Sequence, residues 1–236
     1  MADVQFLSSR KALLYPSAQV YEWGTTLIVA PYPDHQLLSC GGAIALLRQM
    51  GYRVRTLFVG DGRNSLDTQQ YSSTTNLNKV IQQESLEAMA EVGVCEDANV
   101  YLQLRDGLFP HQGEPGFEES VRLVINQLDD LEPDTVVLPM LTYDCPDLTA
   151  TWQILREALR RFPASVKVVE YELLTTPTTE ATLSKPTAEY KVWRLDVKET
   201  MDQKIKALQY FLNRKVLNMT SLESLHPWET YVEYQT

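Results

Sequence analysis

Residues 26–31 read TLIVAP, an apolar and partly β-branched run with no polar alternation, stopped by a proline. A strand of that kind has no face to give to water, so it belongs in a sheet covered on both sides. The pattern returns in YRVRTLFVG, in ANVYLQL ending at Asp106-Gly107, in PDTVVLP entered through Pro133, and in SVKVVEYELL. Helical segments lie between these runs: LLSCGGAIALLRQMG, LNKVIQQESLEAMAEVGV, GFEESVRLVINQLDDL and LTATWQILREALRRF. Strand and helix in strict alternation predict an α/β fold, a Rossmann-like three-layer sandwich with a mostly parallel sheet. In the second helix Val80, Ile81, Leu86, Met89, Ala90 and Val92 are expected to share the buried face.

The last third departs from this rhythm. TTPTTEATLSKPTAEYKVWRLDV reads as a loop and an added antiparallel edge strand, and KETMDQKIKALQYFLNRK as an amphipathic helix. The tail carrying Trp228, Tyr231 and Tyr234 is expected to pack back over its own domain. No internal repeat or linker divides the chain, so one domain over residues 1–236 is expected.

Charge narrows the partners. A net charge of -10, with basic residues scattered, argues against nucleic acid and anionic membranes. The three cysteines are odd in number and far apart, which argues against a disulfide scaffold and for a reducing compartment. The first 23 residues hold no apolar core of signal-peptide length, and no later segment approaches a membrane span, so a cytoplasmic location is expected. Self-association is left open.

In an open α/β sheet the ligand crevice lies beyond the carboxyl ends of the strands. Tyr32, Asp34, His35 and Gln36 follow the first strand, and Tyr143, Asp144, Cys145 and Asp147 follow VVLP. Both groups precede a helix, whose free N–H groups face the same space. Helix capping accounts for Asp34 and Asp147 equally well. Gly41 and Gly42 sit inside the first helix at a cost of about 2 kcal/mol relative to alanine. That cost implies a close approach to a strand or a ligand where no Cβ fits. The loop FPHQGEPG, residues 109–116, reads as an ordinary connection with a solvated His111.

VAPYPDHQLLSCGG resembles the signature of the PIG-L/LmbE-like zinc-dependent deacetylases, and the resemblance, strongest over residues 25–215, continues through GYRVRTLFVGDG, LEAMAEVGV, LQLRDG and LEPDTVVLPMLTYDCPDLTAT. It implies a scaffold that removes acetyl groups from N-acetylglucosamine-type amides. It also implies zinc ligands at three positions, occupied here by Tyr32, His35 and Leu148. The family's general base is matched by Asp34, the Glu after its Asp pair by Gln36, its oxyanion-stabilising His by Cys145, and a later Asp by Asp147.

A catalytic zinc needs three protein donors. Leucine has none, and a neutral phenol is a poor ligand. Without the metal, water stays far less acidic than the metal-bound form, and a carboxylate base gains little by deprotonating it. The expectation is a pocket with no metal and no cofactor that has lost the hydrolysis. Its ligand would be a small polar metabolite, an amino sugar or an acylated amine, contacting Tyr32, His35, Gln36, Asp144 and Asp147. Two alternatives stay open: a rebuilt metal site from Asp34, His35, Asp144, Cys145 and Asp147, or metal-free chemistry with Asp34 as base and Cys145 as nucleophile or donor.

Overall fold

The computed structural model describes residues 12–63, 74–141, 145–172, 190–211, 222 and 225–234. Residues 64–73 and the loop expected around 173–189 lie outside them. The apolar runs form strands β2 (Thr26–Ala30), β3 (Val54–Gly60), β4 (Asn99–Leu104), β5 (Thr135–Pro139) and β6 (Lys167–Tyr171), paired in parallel. Every residue of β2 and β5 is buried, as a run without alternation requires. The helices between them are α1 (His35–Gln49), α2 (Thr74–Glu91), α3 (Phe117–Leu131) and α4 (Pro146–Arg161), followed late in the chain by α5 (Met201–Gln209). No helix among the described residues is long and apolar enough to cross a membrane.

Three further strands complete the sheet: β1 (Leu13–Tyr15), β7 (Tyr190–Asp196) and β8 (Trp228–Tyr234), in the order β1-β7-β8-β6-β5-β2-β3-β4. Here the expectation needs correction. β7 is not an edge strand, because β1 pairs in parallel along its outer side. The tail does not merely cover the domain: β8 is threaded between β6 and β7, antiparallel to both.

One core lies on each side of the sheet. α3 and α4 cover one face through Val121, Val124, Leu128, Ile154 and Leu155. The other holds α1, α2 and α5 with Trp23, Tyr171, Trp193 and Tyr231. The buried side of α2 runs through Ile81, Ser85, Ala88, Met89 and Val92, while Val80 and Leu86 are half-buried and Ala90 is exposed. The helical phase is thus set by spacings of three and four from Ile81, which Val80, Leu86 and Ala90 do not share. Cys40 is buried, whereas Cys95 is exposed ahead of a short 3₁₀ turn.

The glycine pair explains itself in the packing. Helix α1 breaks at Cys40 (φ −140°, ψ 19°). A Cβ on Gly42 would lie 2.5 Å from Cβ of Val197, and one on Gly41 would lie 3.2 Å from Cγ of Lys204. The break also frees two N–H groups. Gly42 donates to Oε1 of Glu229 at 2.8 Å and Ala43 to Oε2 at 3.0 Å. Lys204 Nζ (2.7 Å) and the Tyr231 hydroxyl (2.8 Å) complete the ring of donors. A carboxylate from the last strand therefore caps an internal helix start, in an ion pair whose two side chains are each 1% exposed.

Candidate functional site

Strand β2 has β3 on one side and β5 on the other, so strand order reverses there, the place where an open α/β sheet puts its ligand crevice. Side chains from the tips of β2 and β5 meet there. The Tyr32 hydroxyl donates to Oδ2 of Asp147 at 2.7 Å and lies 4.0 Å from Sγ of Cys145. The Tyr32 ring makes an edge contact with His35 at 4.9 Å and approaches Phe109 at 6.2 Å. Asp147 also accepts the N–H of Gly107 at 2.7 Å and of Phe109 at 3.4 Å. It therefore ties the tips of β2, β4 and β5 together.

Tyr32, His35, Cys145 and Asp147 are thus brought together as the sequence suggested. Gln36 turns elsewhere, its Nε2 donating to the Pro33 carbonyl (3.1 Å) and to sulfur of Met89 (3.6 Å) on α2. Tyr143 and Asp144 lie outside the described residues. No hydrogen bond joins Cys145 to His35 among the described residues.

Neither aspartate caps its helix. Asp147 sits inside the first turn of α4 with its carboxylate committed to neighbouring strand tips, and Cys145 occupies the N-cap position. Asp34 is the residue before α1, yet its carboxylate makes no cap bond. It is fully buried, and both of its oxygens are without a hydrogen-bond partner among the described residues. So are Nδ1 of His35, Oε1 of Gln36 and Oγ of Ser39 on the following turn. Buried polar atoms are almost always paired, and leaving one bare costs on the order of 1–3 kcal/mol.

Burial sets the charge states at the mouth. It raises the Tyr32 phenol far above its ordinary range, with the bond to Asp147 adding to the effect, so the phenol stays neutral. It lowers His35 against the opposing pull of Asp34, leaving a neutral imidazole at pH 7.

Gly107 and Phe109 escaped the sequence reading because they act through backbone N–H groups, which leave no side-chain signature. Their one trace is the Asp-Gly pair, present at two strand tips as Asp61-Gly62 and Asp106-Gly107. There Asp61 accepts Arg63 Nε at 2.6 Å, and Asp106 accepts the Gly62 N–H at 3.2 Å. From the loop 109–116 only Phe109 reaches Tyr32; the His111 N–H donates to Glu114 within its own turn.

The sequence profile of the family described as "PIG-L: GlcNAc-PI de-N-acetylase" matches residues 27–159, more than half of the chain. The chain belongs to the PIG-L family. No curated protein sequence matches it. Among solved structures it resembles N,N'-diacetylchitobiose deacetylase from Pyrococcus horikoshii, at 19% identity and TM-score 0.66, over 86% of this chain and 74% of that one. It also resembles the zinc-inhibited form of teicoplanin deacetylase Orf2, at 17% identity and TM-score 0.67, over 89% and 98%. A third likeness is to the 4-carboxy-2-hydroxymuconate hydratase GalB from Pseudomonas putida KT2440, at 13% identity and TM-score 0.68, over 90% and 96%. At such identities the shared property is the fold, and the fold carries a hydratase as well as deacetylases.

The zinc implied by the PIG-L resemblance does not fit the described residues. No three His, Cys, Asp or Glu side chains among them lie close enough to hold a metal ion. Leu148, at one ligand position, is 2% exposed and packed in the core. Tyr32, at another, has given its proton to a bond with Asp147 and is held neutral by burial. His35 alone offers a good donor, and a stable site needs three.

Proposed function

We propose that this PIG-L protein has given up zinc-dependent amide hydrolysis and keeps the strand-end pocket to bind a small polar metabolite, an amino sugar or an acylated amine. One observation carries the reading: the Tyr32 hydroxyl donates to Asp147, so a phenol and a carboxylate satisfy each other where the resemblance asks for a ligand facing a metal. Tyr32, His35 and Asp147 then act as ligand contacts, with Asp144 beside them in the motif. Gln36 acts through the packing of α1 on α2. A second reading, altered chemistry on the same class of metabolite with Asp34 as general base and Cys145 as donor, draws support from the bare carboxylate of Asp34.

Metal analysis of protein purified without chelator, together with acetate release from N-acetylglucosamine and N,N'-diacetylchitobiose, tests the loss. The expected result is substoichiometric zinc and no release. Near-stoichiometric zinc, with turnover abolished in Asp34→Asn, overturns the proposal.

A further inference from the structure

We infer that this pocket has reversed its polarity, and that the group it takes next to Asp34 is a protonated amine rather than a neutral acetamide. The inference rests on the zinc-free reading above and adds the ligand's charge to it. The bare atoms on the first turns of α1 define the demand. As a carboxylate Asp34 can only accept hydrogen bonds, and His35 Nδ1 and Ser39 Oγ, also bare among the described residues, can accept them too. No ion pair to Asp34 forms among the described residues, and its carboxylate is fully buried. A buried carboxylate left that way is costly, and a charged donor relieves it best.

A bound metal ion inverts this logic. It is the largest local charge in its site and draws in an acceptor such as a carbonyl oxygen. With no such ion, a neutral amide brings its carbonyl oxygen towards a carboxylate and offers no charge, with one N–H in an N-acetyl group and two in acetamide itself. An ammonium brings a charge and three donors. Tyr32 and Cys145 are half-buried, His35 is 8% exposed, and Asp34, next to His35 in the chain, is fully buried.

Two matched pairs of probes test the inference at pH 6: methylammonium against acetamide, and D-glucosamine against N-acetyl-D-glucosamine. The readouts are the His35 ring-proton shifts by NMR and the melting temperature. The ammonium member of at least one pair should bind about tenfold or more tighter than its neutral partner, the size of one charge-assisted hydrogen bond. Asp34→Asn should lose that preference while melting no lower than the parent, since a neutral amide replaces a bare buried carboxylate. Asp129→Asn, at an exposed acid on α3, should leave the preference unchanged, which separates the site from general attraction to an acidic protein. Equal or tighter binding of the neutral probes, a preference that survives Asp34→Asn, or no His35 response to any probe overturns the inference. If the variant fails to fold, the parent's own preference decides. Acetate release is scored separately: hydrolysis alongside an intact ammonium preference removes the zinc-free reading alone, and an inert protein without the preference removes this inference alone.

Discussion

Glu172, one residue past the end of β6, shows what burial does to a single side chain in this sheet. It is 2% exposed, its backbone N–H donates to the Thr230 carbonyl, and its carboxyl oxygens close no hydrogen bond of good geometry among the described residues. Burial pushes its pKa up to about 7, while the Arg194 charge and the facing Thr230 hydroxyl pull the other way and lose. The folded state therefore holds a proton that the unfolded chain releases near pH 4.5. Between those values the native state binds more protons, so stability falls as pH rises and levels off above about 7. Over that window the loss is on the order of 3 kcal/mol. Glu172→Gln should remove the slope, melting higher than the parent at pH 8 and close to it at pH 4.5. A parent whose stability is flat from pH 5 to 7 in urea titrations would refute the assignment. At this scale the sequence was informative about side chains and blind to backbone. The turn residues Tyr32, His35, Cys145 and Asp147 could be named from their place after apolar strands. That Asp147 would spend its carboxylate on the N–H groups of Gly107 and Phe109 could not, because any residue except proline carries that donor.

Helix α1 carries the same lesson at the level of an element. LLSCGGAIALL reads as one continuous helix, and the glycines signal only that something comes close. What comes close is Val197 and Lys204, with Glu229 capping the second half after the break at Cys40. Both charged partners hide from pattern reading, since Lys204 occupies the buried side of α5 and Glu229 the core side of β8. Gly42→Ala weighs two effects of opposite sign. Alanine favours a helix by about 1 kcal/mol, but its methyl would enter space held by Val197, an overpacking that costs about 1–3 kcal/mol or more. At a 2.5 Å approach to a rigid β-branched side chain the clash should win, so the variant should be destabilised. Adding Val197→Ala should make Gly42→Ala far less costly, giving a coupling of 0.5 kcal/mol or more in a double-mutant cycle of chemical denaturation. Additive losses would mean that the two residues do not share that space.

Taken as a whole, the molecule is closed by the segment nearest its carboxyl end. That the strands from β2 to β6 run parallel follows from alternation, and its legibility comes from strands with no polar face to confuse the pattern; their order, β4-β3-β2-β5-β6, does not. WETYVEY lacks that simplicity: its core-facing positions alternate a capping carboxylate with an aromatic ring, so it looks like a polar tail. Yet Tyr231 packs against Trp23 at 5.0 Å and Trp193 at 5.1 Å, while Glu229 holds α1. β8 is also the sole bridge from the parallel block to β7 and β1 among the described strands. Two consequences separate a threaded strand from a draped tail. Opening β8 would expose the Trp23–Tyr231 core and leave Lys204 buried without its partner, so it should cost nearly as much as global unfolding. Native-state hydrogen exchange should then place the β8 amides that face β6 and β7, such as those of Tyr231 and Val232, with the slowest amides of β2 and β5. In urea their exchange should converge on the global unfolding line. Exchange several orders of magnitude faster than in β2, by a route independent of urea, would mean that the last strand opens alone and that the sheet is completed by β6.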